Sequence, residues 1–275
     1  MTADPIAIGP LPDMDPAVPA PLPPQPACVQ TRAEALLRAG WSPVAGGPGG
    51  GEAVLAVSGS ALVLTEVATL VVPAGCGAIL PADSGSGVMT AADPLSAVVR
   101  VPLDEAPVPP VPAVTVASDF ARMLAAETTA APAGDSPRRS AAAGLLREEL
   151  ARGRPGGFTL AEPADLRLGR VTRQIWVTPA APLTVNEAAA LAIMSRRTFT
   201  RHFGLQTGFG FDAWQRRLRL LTVVPRLEQG VQVTQVAGEL GYDSVSAFIA
   251  AFRRAFGTTP RRFGRSAVRA SALAG

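Results

Sequence analysis

Side chains that ordinarily do chemistry are scarce in this 275-residue chain. It has one histidine, His202, two cysteines, Cys28 and Cys76, and 25 basic residues, every one of them arginine. One imidazole cannot build a three-histidine metal site, and two thiols cannot build a four-cysteine zinc site. No metal or other cofactor is expected. Cys76 lies in the turn-like Pro73-Ala74-Gly75-Cys76-Gly77, but residues 1–182 hold no histidine to make its thiolate. It reads as a structural thiol, and Cys28 as incidental. The run Gly46-Gly47-Pro48-Gly49-Gly50-Gly51 lacks the Lys and Ser/Thr of a phosphate loop and reads as a flexible loop. Trp41, Trp176 and Trp214 read as packing residues. An enzyme is not expected.

What remains is arginine, and it is unevenly placed. Residues 183–275 carry 13 Arg against five acids (Glu187, Asp212, Glu228, Glu239 and Asp243), a balance of +8. Residues 1–182 carry 12 Arg against 17 acids, a balance of −5. A basic end beside a mildly acidic remainder suits a polyanion partner for that end. No apolar run reaches 18 residues, so no membrane span is expected. Asp4, Asp13 and Asp15 precede the first basic residue, Arg32, which does not suit a secretory signal. The expected location is the cytoplasm.

Two stretches of the basic end look alike. Leu183-Thr184-Val185-Asn186-Glu187 through Ile193-Met194-Ser195 is followed by Arg196-Arg197-Thr198-Phe199-Thr200-Arg201-His202-Phe203. About 49 residues on, Val233-Thr234-Gln235-Val236 through Leu240-Gly241-Tyr242-Asp243-Ser244 is followed by Val245-Ser246-Ala247-Phe248-Ile249-Ala250-Ala251-Phe252-Arg253-Arg254. Each reads as a short helix, a tight turn, a capping Ser and a second helix with a Phe pair four apart. Thr184-x-x-Glu187 is a capping box. The intervening 209–227 predicts an amphipathic helix with Phe211, Trp214, Leu218 and Leu221 on one face, stopping or kinking near Pro225. Two helix-turn-helix units, about 184–204 and 234–256, can place their second helices in successive major grooves of one duplex. Arg196, Arg197, Thr200 and Arg201 lie on or near the exposed face of the first such helix.

Residues 160–265 resemble the DNA-binding domain of AraC-type bacterial transcription regulators. The resemblance rests on Gly241-Tyr242-Asp243-Ser244, Phe248, Phe252-Arg253-Arg254-x-Phe256-Gly257-Thr258-Thr259-Pro260-x-x-Phe263. It implies a sequence-specific transcription regulator that binds an operator in double-stranded DNA. Base readout then falls on Arg197, Thr200 and Arg201 in the first unit, and on Val245, Ser246, Ile249 and Ala250 in the second. Arg196, His202, Thr184, Thr234, Ser244, Arg253 and Arg254 are assigned to phosphates and positioning. Ser246 is the one polar group among the four second-unit positions, so the first unit should supply most hydrogen-bonded readout and the second thymine-methyl contacts. Ile193 stands where the first turn usually has Gly, as Gly241 does in the second. A left-handed backbone there would strain a β-branched residue.

The fold class expected is α+β with two domains. Residues 1–30, with nine prolines, read as a disordered arm. Ala53–Val57, Ala61–Leu64, Thr69–Val72, Gly77–Leu80 and Ala97–Val99 are candidate strands separated by turn signals. They resemble a small cupin-like β-barrel over about 31–112, lacking that branch's His-rich motif. Two flanking helices, about 117–128 with Phe120, Leu124 and Glu127 at helical spacing and about 139–152 with Leu145, Leu146 and Leu150 in one stripe, fill a linker or dimerisation region at 113–159. A further helix, Asp165 to Val177, opens the all-α tandem helix-turn-helix domain at 160–265, and 266–275 is a tail. Two readings of the barrel stand: a metal-free pocket for a small-molecule effector, or a non-sensing barrel kept for homodimerisation in a constitutive regulator. An enzyme or repair protein borrowing the DNA-binding module is the remaining alternative.

Overall fold

The computed structural model describes residues 27–44, 51–81, 87–91, 97–103, 113–130 and 137–263. Along the chain come α1 (Ala27–Arg38), β1 (Trp41–Pro43), β2 (Glu52–Ser58), β3 (Ala61–Leu64), β4 (Ala68–Val72) and β5 (Cys76–Leu80). Next are β6 (Gly87–Ala91), β7 (Ala97–Pro102), β8 (Val114–Val116), α2 (Asp119–Ala130), α3 (Pro137–Arg152) and β9 (Phe158–Ala161). The remainder is helical: α4 (Leu166–Val177), α5 (Val185–Leu191), α6 (Arg196–Thr207), α7 (Phe211–Leu221), α8 (Val224–Glu228), α9 (Val233–Glu239) and α10 (Val245–Phe256). The chain is thus α+β, a β-rich N-terminal region followed by a helical one.

The strands form two antiparallel sheets, β1-β6-β3-β4-β9 and β7-β2-β5-β8. Their facing sides share a core that includes Val54, Ala78 and Leu80 from the second sheet and Val63, Leu70 and Val72 from the first. Outside the second sheet, Leu55, Ile79 and Val101 pack on Leu124 of α2 and Leu146 and Leu150 of α3. Outside the first, Leu62, Leu64, Val71 and Met89 pack on α1 and the helical region. Strands β3, β4 and β5 are therefore buried on both sides, which is why they read as unbroken apolar runs instead of alternating.

The expected cupin-like barrel is not seen as such: no strand pairing closes the sheets into a barrel among the described residues. One seam is joined. Val116 N–H donates to the Arg154 carbonyl and Gly156 N–H to that of Val114, after which β9 pairs with β4. The segment therefore serves each sheet in turn. A Cβ at Gly157 would stand 2.2 Å from Val114 Cγ1 and 2.4 Å from the Val71 carbonyl. Only glycine passes there.

Two helix readings need correction. Leu146 and Leu150 are buried, but Leu145, expected in the same stripe, is half exposed. Leu124 is buried whereas Phe120, its expected companion, faces solvent in part. In both cases the neighbouring sheet covers a narrower arc than the apolar residues span. Helix α1, which contains Ala27 to Gln30 of the Pro-rich stretch, was not foreseen. Residues 1–26 and the Gly46–Gly50 loop lie outside the described residues, as does the tail from 266.

The β-rich and helical regions share one continuous core. All three tryptophans donate their indole N–H across it: Trp41 to the Leu221 carbonyl (3.3 Å), Trp176 to Glu162 Oε1 (2.9 Å) and Trp214 to the Ala161 carbonyl (2.8 Å). They do more than fill space. Buried Arg32 reaches Thr69 Oγ1 at 3.0 Å, the Thr65 carbonyl, and Glu162 at 3.8 Å. Burial pushes the Glu162 carboxyl above its ordinary range, against the pull of Arg32 and the Trp176 and Thr172 hydrogen bonds. Ser60 N–H donates to Glu228 Oε2 at 3.2 Å, tying α8 to the start of β3.

Candidate nucleic-acid interface

The first unit comprises α5 and α6. Thr184 Oγ1 accepts from Glu187 N–H, and Glu187 Oε2 accepts from Thr184 N–H at 2.7 Å, closing the capping box. These bonds hold the Glu187 carboxyl below its usual range. Helix α5 ends in a pair of bonds, Ile193 N–H to the Ala190 carbonyl and Met194 N–H to that of Ala189, the pattern of a Schellman turn. Its pivot is Ile193, at φ 55°, the one non-glycine with positive φ among the described residues. Ser195 then caps α6 by accepting from Thr198 N–H.

The second unit, α9 and α10, repeats the geometry. Gly241 N–H and Tyr242 N–H donate to the Gly238 and Ala237 carbonyls, with Gly241 at φ 72°. Ser244 caps α10 through Ala247 N–H. The strain expected at the glycine-less first turn is therefore present: its backbone follows the glycine path with an isoleucine.

Apolar spacing fixes which faces look outward. Phe199 and Phe203 of α6 are buried and stack against Phe211, with Phe203 also meeting Trp214 at ring separations of 5.2–5.8 Å. Phe248 and Phe252 play the same part in α10, with Tyr242, Phe256 and Phe263 around them. Arg196, Arg197, Thr200 and Arg201 are consequently exposed on α6, and His202 is half-buried. Among the described residues, no carboxylate pairs with Arg196, Arg197 or Arg201. Thr200 Oγ1 donates to the Arg196 carbonyl at 2.9 Å, leaving its lone pairs outward.

On α10, Ser246, Ala250, Arg253 and Arg254 are exposed, while Val245 and Ile249 are half-buried. Ser246, Ile249, Ala250, Arg253 and Arg254 line an open depression of about 580 Å³. Its lining combines apolar Ile249 and Ala250 with the guanidinium groups of Arg253 and Arg254. Thr184 and Ser244 spend their hydroxyls as caps, and Thr234 stands exposed in the first turn of α9.

Sequence reasoning missed the residues that hold the units to their neighbours. The Gln215 amide bonds both backbone atoms of Leu183, and Arg219 reaches the Leu240 carbonyl. Arg226 and Gln235 grip Glu239, holding its carboxyl down at about 2, chiefly through the Arg226 bond. Asp165 caps α4 and is likewise held at about 2 by Arg167. The available signal was a polar residue, Gln215, beside Trp214 in the apolar stripe of an amphipathic helix. Pro225 acts as expected: α7 stops at Leu221, and α8 starts with the proline in its first turn.

Two helix-turn-helix units with capped second helices, joined through α7 and α8, have the geometry of a DNA-binding domain. A helix-turn-helix domain family matches residues 188–266. The HTH-type transcriptional regulator NimR of Escherichia coli is 39% identical over 75 residues, covering 27% of this chain and 28% of NimR. RipA of Corynebacterium glutamicum, also an HTH-type transcriptional regulator, is 32% identical over 101 residues, 37% of this chain and 30% of RipA. The crystal structure of the DNA-binding domain of AdpA, a global transcriptional factor in complex with a target DNA, is 31% identical. It covers 40% of this chain and 98% of that one, with a TM-score of 0.32. The family match thus lies in the C-terminal region. The chain spans under a third of the length of NimR and RipA.

Proposed function

We propose that this protein is a sequence-specific DNA-binding transcription regulator whose α6 and α10 enter successive major grooves of one operator. The observation that supports this most is the exposed, carboxylate-free arginine face of α6, set on a capped helix and matched by a second unit of the same geometry. Arg197, Thr200 and Arg201 are assigned to base edges, since arginine binds guanine O6 and N7 in a bidentate manner. Val245, Ser246, Ile249 and Ala250 are assigned to base edges in the second groove, where the three apolar side chains suit thymine methyls. Arg196, His202, Arg253 and Arg254 fall to phosphates, with Thr184, Thr234 and Ser244 positioning the helix starts. Such a regulator works in the cytoplasm. Selection of bound genomic fragments by the purified protein tests the reading: one recurrent motif supports it, and sequence-independent recovery overturns it.

For the β-rich region we propose a cupin-like domain, joined along one seam, that acts through a small-molecule effector without a metal. Partly exposed Phe120, Met123 and Leu145 on α2 and α3 supply the apolar face for a homodimer. A second reading, a constitutive regulator, is favoured by the close filling of the inter-sheet space by Val54, Val63, Leu70, Val72 and Leu80. A thermal-shift screen with metabolites separates the two, and light scattering on Met123→Glu tests the dimer.

A further inference from the structure

We infer that Gln215 and Arg219 are positioning residues that set the separation and mutual angle of α6 and α10, and with it the operator spacing the protein accepts. The inference rests on the two-groove reading above. Both residues sit on α7, the helix between the units, four apart and so one turn above the other.

Each reaches the backbone of a different unit. Gln215 is almost wholly buried. Its Oε1 accepts from Leu183 N–H at 2.8 Å and its Nε2 donates to the Leu183 carbonyl at 3.1 Å. A two-point ring of this kind fixes angle as well as distance. Leu183 directly precedes Thr184, the cap that starts the first unit. Arg219 Nη2 donates to the Leu240 carbonyl at 2.6 Å. Leu240 ends α9 and precedes Gly241, the pivot of the second unit's turn.

The Arg219 contact does not have the character of core stabilisation. The Arg219 Nε is buried without a hydrogen-bond partner, so the residue keeps its place at a cost in desolvation. An apolar side chain would pack there without that cost. What the polar atoms supply is direction, because all three bonds end on main chain at a unit's edge, at Leu183 before α5 and at Leu240 after α9. Helix α7 is itself anchored from behind, by Trp214 to the Ala161 carbonyl and by Trp41 to that of Leu221. The two side chains are thus arms on a fixed post, one to each unit.

One inserted base pair turns the second groove by about 35° relative to the first, which a rigid pair of helices cannot follow. Binding of full-length wild type, Gln215→Met, Arg219→Met and Arg219→Lys should be measured on three kinds of duplex. These are the selected operator, versions with one base pair inserted or deleted between the two contacted segments, and a duplex keeping only the first segment. Wild type should lose about tenfold or more on insertion or deletion. The Met variants should bind the operator several-fold less tightly, lose little further on insertion, and match wild type on the single segment. Arg219→Lys, which can still donate to Leu240, should restore much of the spacing preference.

Met variants whose spacing profile runs parallel to that of wild type would overturn the inference and leave the two-groove reading intact. A wild type indifferent to insertion would overturn both. Unaltered single-segment binding shows that a variant is folded. Should one variant fail there, the other still decides, because the two arms are independent.

Discussion

Ile193 offers a quantitative test of how sequence strain enters this fold. It pivots the first turn at φ 55°, where the second turn has Gly241 at φ 72° with the same two closing hydrogen bonds. A left-handed backbone costs an L-residue about 1–2 kcal/mol, and β-branching places isoleucine toward the upper end. Glycine would relieve that but lose about 0.5–1 kcal/mol more chain entropy on folding. Ile193 is 77% exposed, so truncating it gives up little burial. Ile193→Gly should therefore stabilise the protein by about 0.5–1 kcal/mol, and Ile193→Asn by a similar amount, since Asn tolerates this conformation. The reciprocal Gly241→Ile should cost about 0.5–1 kcal/mol, the same difference with its sign reversed. A Cβ at 241 meets no atom within 4 Å, so that cost is not a clash at the Cβ. Urea unfolding with an unchanged m-value reads both as shifts of the midpoint. A destabilised Ile193→Gly, or a neutral Gly241→Ile, would refute the reasoning.

Three further expectations follow from the geometry. Arg197→Ala and Arg201→Ala should each weaken operator binding by about 1–3 kcal/mol, whereas Ala250→Ser should change it little; fluorescence anisotropy at fixed salt measures all three. Gly157→Ala should destabilise by about 3 kcal/mol or more, because its Cβ would collide with Val114 and the Val71 carbonyl and the backbone must yield; thermal unfolding checks it. Asp165 and Glu239 are both held at about 2, below ordinary values of 3.8 and 4.5. Their contribution is present above those ordinary values and is lost as pH falls through about 2. An Asp165→Asn, Glu239→Gln double variant should accordingly be less stable than wild type at pH 6, with the gap closing as pH falls through about 2 in urea titrations.

The helix-turn-helix units were legible because each local rule points the same way: Thr184 with Glu187, capping Ser195 and Ser244, paired phenylalanines four apart, and Gly241. The strain at Ile193 could be foreseen because the second unit supplies an internal template. Five strands were visible as apolar runs; Ala61–Leu64 keeps its bounds in the structure, and the other four gain one to three residues at one or both ends. Strands β1, β6, β8 and β9 were not; β1, β8 and β9 run to three or four residues, too short to show a period, and owe their pairing to distant partners. The joined seam at Gly157 depends on a close approach that only coordinates reveal. Gln215 and Arg219 were hidden for a related reason. They bond main-chain atoms 32 and 21 residues away, and a main-chain partner leaves no mark on the residue type that supplies it.

The central claim, one chain reading two successive grooves, is tested most directly by hydroxyl-radical footprinting of the purified protein on its selected operator. Two protected segments, one helical turn or about 10 base pairs apart on the same face of the duplex, are predicted. Arg197→Ala with Arg201→Ala should weaken the segment under α6 first. A single protected segment, or a footprint unchanged in those variants, would contradict the account.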